Sequence, residues 1–200
     1  MRRFVALAFC GAGGYVLGMF PSADIAARLA RVKSLRESGT QNPGAANALE
    51  VLGKSWALGV AVGDITKGYI AGRLGQKLSG TAGGNLAATA AVVGHCFPAC
   101  ADFRGGKGVA TSVGQVIATQ PVYVLADAAA AGVATQMVSS PHKARKSTMI
   151  AAVVWVGTTS LWYLRGWPNP GGPRIHISHP LAALASSAVI VTRFLQEESP

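Results

Sequence analysis

Six apolar runs punctuate the chain, at 4–20, 56–72, 85–101, 109–138, 148–164 and 180–195. Several approach the roughly 17–25 residues with which a helix crosses a bilayer. The fourth is too long for one crossing and carries Thr119-Gln120-Pro121 in its middle. Proline removes a backbone donor and disfavours helix in the residue before it, so the run divides into 109–119 and 121–138. The pattern predicts an all-α, polytopic membrane bundle of about seven transmembrane helices. It forms a single integral membrane domain over 1–200, with no internal repeat and no linker.

Composition supports that pattern. Half of the chain is apolar, 13% is charged and 25 of its 200 residues are glycine. Disordered chains need low hydrophobicity, whereas glycine and alanine let membrane helices approach closely. The net charge is +10, which in so apolar a chain points to anionic lipids or substrates rather than nucleic acid. Seven spans with an outside N-terminus place eleven basic residues on the cytoplasmic side, among them Lys143, Arg145 and Lys146, against six outside. Arg2 and Arg3 run against that rule, and Met1-Arg2-Arg3 before an apolar run has a signal-peptide look. The run continues into sequence that reads as functional, so the segment is expected to be retained. Cys10, Cys96 and Cys100 are too few for a disulfide framework, and no metal site or cofactor is expected.

Three features interrupt the apolar pattern. The loop 38–50 is dense in turn formers and small polar side chains. It reads either as a solvated loop or as a segment lining a wet cavity in the membrane. Next, Phe103-Arg104-Gly105-Gly106-Lys107-Gly108-Val109-Ala110-Thr111 places three glycines ahead of a helix. Its backbone N–H groups and the helix N-terminus suit an anion, with Arg104, Lys107 and the Thr111 hydroxyl alongside. It is neither a Walker A loop nor a G-x-G-x-x-G turn. Finally, Asp64 and Lys67 share a helix face inside the second span, as a structural ion pair or as charge facing a wet interior. His95, at the end of the third span, is a further hydrogen-bonding candidate. Together these predict a membrane-embedded, cytoplasm-facing site for phosphate-like anions, with apolar helices beside it for an acyl chain.

These segments resemble the acyl-phosphate-dependent glycerol-3-phosphate acyltransferase family of bacteria. The resemblance runs over residues 15–121, from Tyr15-Val16-Leu17-Gly18-Met19-Phe20-Pro21 through the Thr40 to Asn47 loop and Gly63-Asp64-Ile65-Thr66-Lys67-Gly68. It continues to Gly94-His95-Cys96-Phe97-Pro98 and the 103–111 block, the most specific of the set. It implies seven spans, a bacterial inner-membrane location and a cytoplasmic site. Two departures stand out. The family's first motif reads Ser-Gly-Asn-x-Gly-x-x-Asn-x-x-Arg. Here Thr40 and Gln41 replace its first two residues, Asn42, Gly44 and Asn47 match, and Glu50 replaces the arginine. The family's C-terminal His and Asn have no clear counterpart in 191–198. His176 and His179 lie nearby, but in a loop expected outside.

The implied reaction transfers an acyl group from acyl phosphate to the 1-hydroxyl of glycerol 3-phosphate, giving lysophosphatidic acid and phosphate. The expected catalytic set is Lys107, Arg104, Thr40 and Asn47. Gly105, Gly106, Gly108, Thr111, Asn42 and Gly44 would bind substrate phosphate, with Asp64, Lys67 and His95 in support. Acyl phosphate is already activated, so no nucleophilic Ser or Cys is required. No protein base stands out, which leaves the departing phosphate to take the hydroxyl proton. Expected partners are the two substrates and membrane lipids. If the fold matches the family, Glu50 would point into the anion pocket and would have to turn away, pair with a base such as Arg36 or Lys54, or meet a different acceptor group there. The alternative reading is an inactive relative that binds lipid or acyl phosphate, or an assembly partner.

Overall fold

The computed structural model describes residues 2–137 and 143–196. All regular elements among them are helical: α1 (Arg2–Gly18), α2 (Ser22–Leu29), α3 (Ala45–Leu52), α4 (Lys54–Cys96), α5 (Val109–Thr119), α6 (Tyr123–Met137), α7 (Lys143–Arg165) and α8 (Ser178–Gln196), with one 3₁₀ turn at Ala99–Ala101. The 43-residue α4 is two helices in one. Ser79 (φ −145°, ψ 30°) and Gly80 (φ 63°) leave helical geometry and fold 81–96 back along 54–78. Counting its halves separately gives the seven membrane segments of the hydrophobic pattern. The stretches Arg2–Leu29, Lys143–Arg165 and Ser178–Gln196 are each long and apolar enough to cross a membrane.

Three boundaries differ from the sequence reading. The second span runs on to the Ser79–Gly80 break, so Arg73 and Lys77 sit on helix rather than in a loop. The third ends at Cys96, not at 101, because Phe97-Pro98 cannot continue it. The basic residues Lys143, Arg145 and Lys146 form the first turn of α7. The last residue of the expected 121–138 span lies outside the described residues.

Small residues set the helix spacing. A Cβ at Gly14 or Gly18 would collide with the carbonyls of Ala87 or Ala91, so α1 runs directly along 81–96. The same holds between Gly114 of α5 and the Ile65 carbonyl of α4. Parallel packing of α1 on 81–96 puts the end of α1, the end of α4 and the start of α5 at one face. The opposite face carries Asn169 and His179, which donate to the Thr119 carbonyl at 2.9 and 3.1 Å. His176 and His179 thus lie across the bundle from the glycine-rich segment, as the charge pattern expects.

Candidate active site

Eleven residues give α5 a length of only about 16 Å, roughly half of a bilayer's hydrocarbon thickness. The glycine-rich segment at its start therefore lies recessed within the bundle. Non-helical backbone at that depth must satisfy its own polar groups, and it does. Gly105 N–H donates to the Cys96 carbonyl and Gly106 N–H to the His95 carbonyl, both at 3.1 Å. The orphan carbonyls at the end of α4 are capped in this way. Gly108 (φ 83°) starts α5, and the space of its missing Cβ is filled by Cys96 Sγ.

Arg193 of α8 holds the outer side of this segment. Its Nη2 donates to the Gly105 carbonyl at 2.7 Å and its Nε to the Gly106 carbonyl at 3.3 Å. Its guanidinium lies 5.5 Å from the centre of the Phe97 ring. From the other side Arg36 donates to the Arg104 carbonyl and pairs with Asp24 at 2.9 Å. Tyr15 of α1 donates to the Phe97 carbonyl at 2.7 Å and accepts from Ala99 N–H at 3.1 Å.

Between these supports lies a cavity of about 340 Å³. Its walls are the α1–α2 turn, α2, the α2–α3 loop, both halves of α4 and the Gly105–Gly106 edge. The cations Arg28, Lys33, Arg36 and Lys67 line it, with His95 and the carboxylates of Asp24 and Asp64. Lys33 is paired with Glu37 at 2.9 Å, and the carboxylate raises its pKa. Deepest are the buried Asp64, Lys67 and His95. Lys67 Nζ lies 2.9 Å from Asp64 Oδ1 and donates to the Phe20 carbonyl at 3.1 Å. His95 Nδ1 lies 3.5 Å from the same Asp64 oxygen. A Cβ at Gly106 would run into His95 Nε2, so the glycine leaves room for the imidazole edge.

The structure thus gathers Asp64, Lys67, His95, Gly105 and Gly106 around one cavity, and it places the other candidates elsewhere. The Gly105 and Gly106 amides are spent on α4 rather than left for phosphate. Thr111 is wholly buried where α5 crosses α4, away from the cavity lining, and its hydroxyl has no partner. Asn47 orients the loop. Its Oδ1 accepts from Thr40 N–H at 2.9 Å, and its Nδ2 donates to the Leu35 and Ser38 carbonyls at 2.8 and 2.9 Å. Thr40 is exposed, while Asn42 is buried with an unpartnered Oδ1, and neither they nor Gly44 line the cavity. The Arg104 side chain is exposed. Lys107 Nζ lies 4.6 Å over the Phe194 ring, also outside the cavity lining, as is Gly108. Glu50 is exposed on α3 and does not enter the cavity, and Arg36 pairs with Asp24 instead. Sequence reading missed Arg193, Asp24 and Tyr15 as organisers of the site. The signal for Arg193 was a lone cation in the last turn of an otherwise apolar helix.

Comparison with known proteins fits this geometry. The family description glycerol-3-phosphate acyltransferase matches residues 8–197. The chain belongs to the glycerol-3-phosphate acyltransferase family. A glycerol-3-phosphate acyltransferase of Thermoanaerobacter pseudethanolicus is 42% identical over 108 residues, 54% of each chain. One of Glaesserella parasuis is 46% identical over 108 residues, 52% of each. The chain thus spans about half the length of the curated relatives it matches. The crystal structure of PlsY, an integral membrane glycerol 3-phosphate acyltransferase, in its glycerol 3-phosphate form superposes with a TM-score of 0.76. The identity is 25%, covering 95% of this chain and 88% of that one. The lysophosphatidic acid form gives 0.72 at the same identity, covering 94% and 87%. Fold, family and membrane setting therefore agree from three directions.

Proposed function

We propose that this chain transfers an acyl group from acyl phosphate to the 1-hydroxyl of glycerol 3-phosphate, releasing lysophosphatidic acid and phosphate. The observation that carries this reading is the basic cavity recessed at one face of an apolar bundle. Both substrates bring phosphate, and four cations line a space of small-molecule size. The acyl chain lies along the lipid-facing helices beside the cavity opening. Lys67, Arg36 and Arg28 hold phosphate in the cavity, and Lys107 and Arg104 guard its glycine-rich wall on the outer side. Thr40, Asn42, Gly44 and Asn47 act by fixing the 38–50 loop that packs over Gly106. That face opens to the cytoplasm of a bacterial inner membrane, on the basic-residue asymmetry.

A non-catalytic binder of lipid or acyl phosphate is favoured by one observation. Lys107, Thr40 and Asn47 all stand outside the cavity lining. One experiment separates the two readings: purified protein in detergent, supplied with acyl phosphate and glycerol 3-phosphate, assayed for lysophosphatidic acid. Product formation that scales with protein and is lost in Lys67→Met supports acyl transfer. Tight acyl phosphate binding without product supports the binder.

A further inference from the structure

Helix α2 turns two kinds of side chain outward, apolar and cationic, and together they fit one kind of ligand. We propose that α2, beside the cavity mouth, binds an anionic phospholipid of the surrounding bilayer. Its phosphate sits on Arg28 and its chains run along Phe20, Ile25 and Leu29. The proposal goes beyond acyl transfer and does not depend on it.

The 17 residues of α1 rise about 25 Å, close to the roughly 30 Å of a bilayer's hydrocarbon core. With Arg2 and Arg3 at one boundary of that layer, the turn at 19–21 lies at the other, and α2 starts there. The small residues Ala23, Ala26 and Ala27 are buried in a cluster with Leu35, Ala48 and Val60. Ile25 and Leu29, about one helical turn apart, are exposed, as is Phe20 just before the helix. An apolar ridge at the bilayer boundary meets acyl chains rather than water.

Arg28 lies three residues beyond Ile25, and both line the cavity, so the mouth opens beside this ridge. Arg28 and Arg31 are exposed. The carboxylates of this region are already taken, Asp24 by Arg36 and Glu37 by Lys33, both at 2.9 Å. Neither the Arg28 nor the Arg31 guanidinium has a partner among the described residues. A guanidinium without a carboxylate is open to phosphate, which it can grip with two parallel N–H···O bonds. Anionic lipids attract such cations at the membrane surface. A soluble phosphate would use Arg28 but not the ridge, whereas a phospholipid uses both. Arg28 also lines the cavity, so on the acyl-transfer reading the lipid and a substrate phosphate share one guanidinium.

The test reads binding, not turnover. Retention of phosphatidylglycerol and of phosphatidylcholine with the same chains is measured by native mass spectrometry of the purified protein in detergent. A charge-assisted hydrogen bond to phosphate is worth about 10-fold or more in affinity. Wild type is expected to hold phosphatidylglycerol about 10-fold more tightly than phosphatidylcholine, and Arg28→Gln to lose that preference. Leu29→Ser, at an exposed position, should weaken both lipids by about 3-fold or more. Lys54→Gln, an exposed cation at the same face but outside the cavity lining, should change neither. Equal retention of the two lipids by wild type overturns the proposal, as does a preference that survives in Arg28→Gln. A preference lost equally in Lys54→Gln belongs to general charge attraction and overturns it as well. Displacement of the lipid by an equal concentration of glycerophosphoglycerol, the same headgroup without chains, would make this a site for soluble phosphate and overturn the lipid. A protein that shows the Arg28-dependent preference but makes no lysophosphatidic acid keeps the lipid site and loses the acyl-transfer reading.

Discussion

Truncating Arg193 should release the glycine-rich wall of the cavity while leaving the bundle folded. Its guanidinium donates to two consecutive carbonyls, Gly105 at 2.7 Å and Gly106 at 3.3 Å. Hydrogen bonds from a charged donor contribute about 1.5–3 kcal/mol each. Arg193 is only half-buried and the second bond is long, so the pair is taken at about 3 kcal/mol. Stacking on Phe97 adds about 0.5–1 kcal/mol. No core contact is lost, because the side chain lies over the segment rather than inside the bundle. About 3 kcal/mol corresponds to roughly two decades in a local opening constant. In Arg193→Ala, amide hydrogen exchange over 103–108 should therefore accelerate by about 100-fold, with the far-face segment 166–177 unchanged. Arg193→Lys keeps the charge but cannot bond both carbonyls as a fork, and should recover less than half of the protection. Unchanged exchange over 103–108 in Arg193→Ala would refute the clamp. Full recovery by lysine would show that charge, not fork geometry, holds the loop.

Asp64→Ala strands the buried Lys67 with the Phe20 carbonyl alone, and breaking a buried pair costs about 3–5 kcal/mol. Thermal unfolding in detergent should show a large loss that the added Lys67→Met partly restores, and a loss below about 1 kcal/mol would contradict the buried pair. Gly114→Ala drives a Cβ into the Ile65 carbonyl and should cost at least the roughly 1–3 kcal/mol of overpacking, whereas Gly59→Ala meets open space and should be neutral or stabilising. Single cysteines at Lys143 and Arg174, in a background without Cys10, Cys96 and Cys100, should label from opposite sides of the membrane; labelling of both from one side would break the seven-span topology.

The spans were legible because hydrophobic runs and membrane thickness constrain each other tightly. Even Pro121 divided its run where α5 ends. The Ser79–Gly80 reversal was less legible, since neither residue forbids helix and the close approach of Gly75 to Gly83 beside the turn is visible only in three dimensions. The site was half legible. Asp64, Lys67 and His95 announced themselves as ionisable groups in apolar sequence. The glycines of 103–108 were read for their anion-binding amides, yet two of those amides close the end of α4. The local pattern of a nest and of a helix-capping turn is the same, and only the neighbouring carbonyls distinguish them. Asn47 shows the same ambiguity: a conspicuous polar residue in a polar loop also stitches that loop together.

Three of the four cations lining the cavity are matched by carboxylates, and this has a consequence for binding. Lys33, Arg36 and Lys67 each have a carboxylate partner at 2.9 Å: Glu37, Asp24 and Asp64. An unpaired buried cation is costly, so the buried Lys67 holds its charge against Asp64. An arriving phosphate must then compete with those carboxylates for the same donors. Of the two carboxylates that line the cavity, Asp24 is the more exchangeable, because it and the Arg36 side chain are 29% and 23% exposed, whereas the Asp64–Lys67 pair is buried. Pairs at such exposure contribute about 0–1 kcal/mol, so removing the charge should cost little stability. Arg36 also remains tied to the Arg104 carbonyl and stays in place. Asp24→Asn should therefore free one guanidinium edge and remove a repulsive charge at once. Two unit charges about 4 Å apart interact by about 1 kcal/mol in water and about 4 at an effective dielectric of 20. Phosphate affinity, measured as inhibition by inorganic phosphate or as KM for glycerol 3-phosphate, should improve by about 5-fold or more. If KM rises instead, Asp24 is holding Arg36 for the substrate rather than against it, and the carboxylate belongs to the binding site.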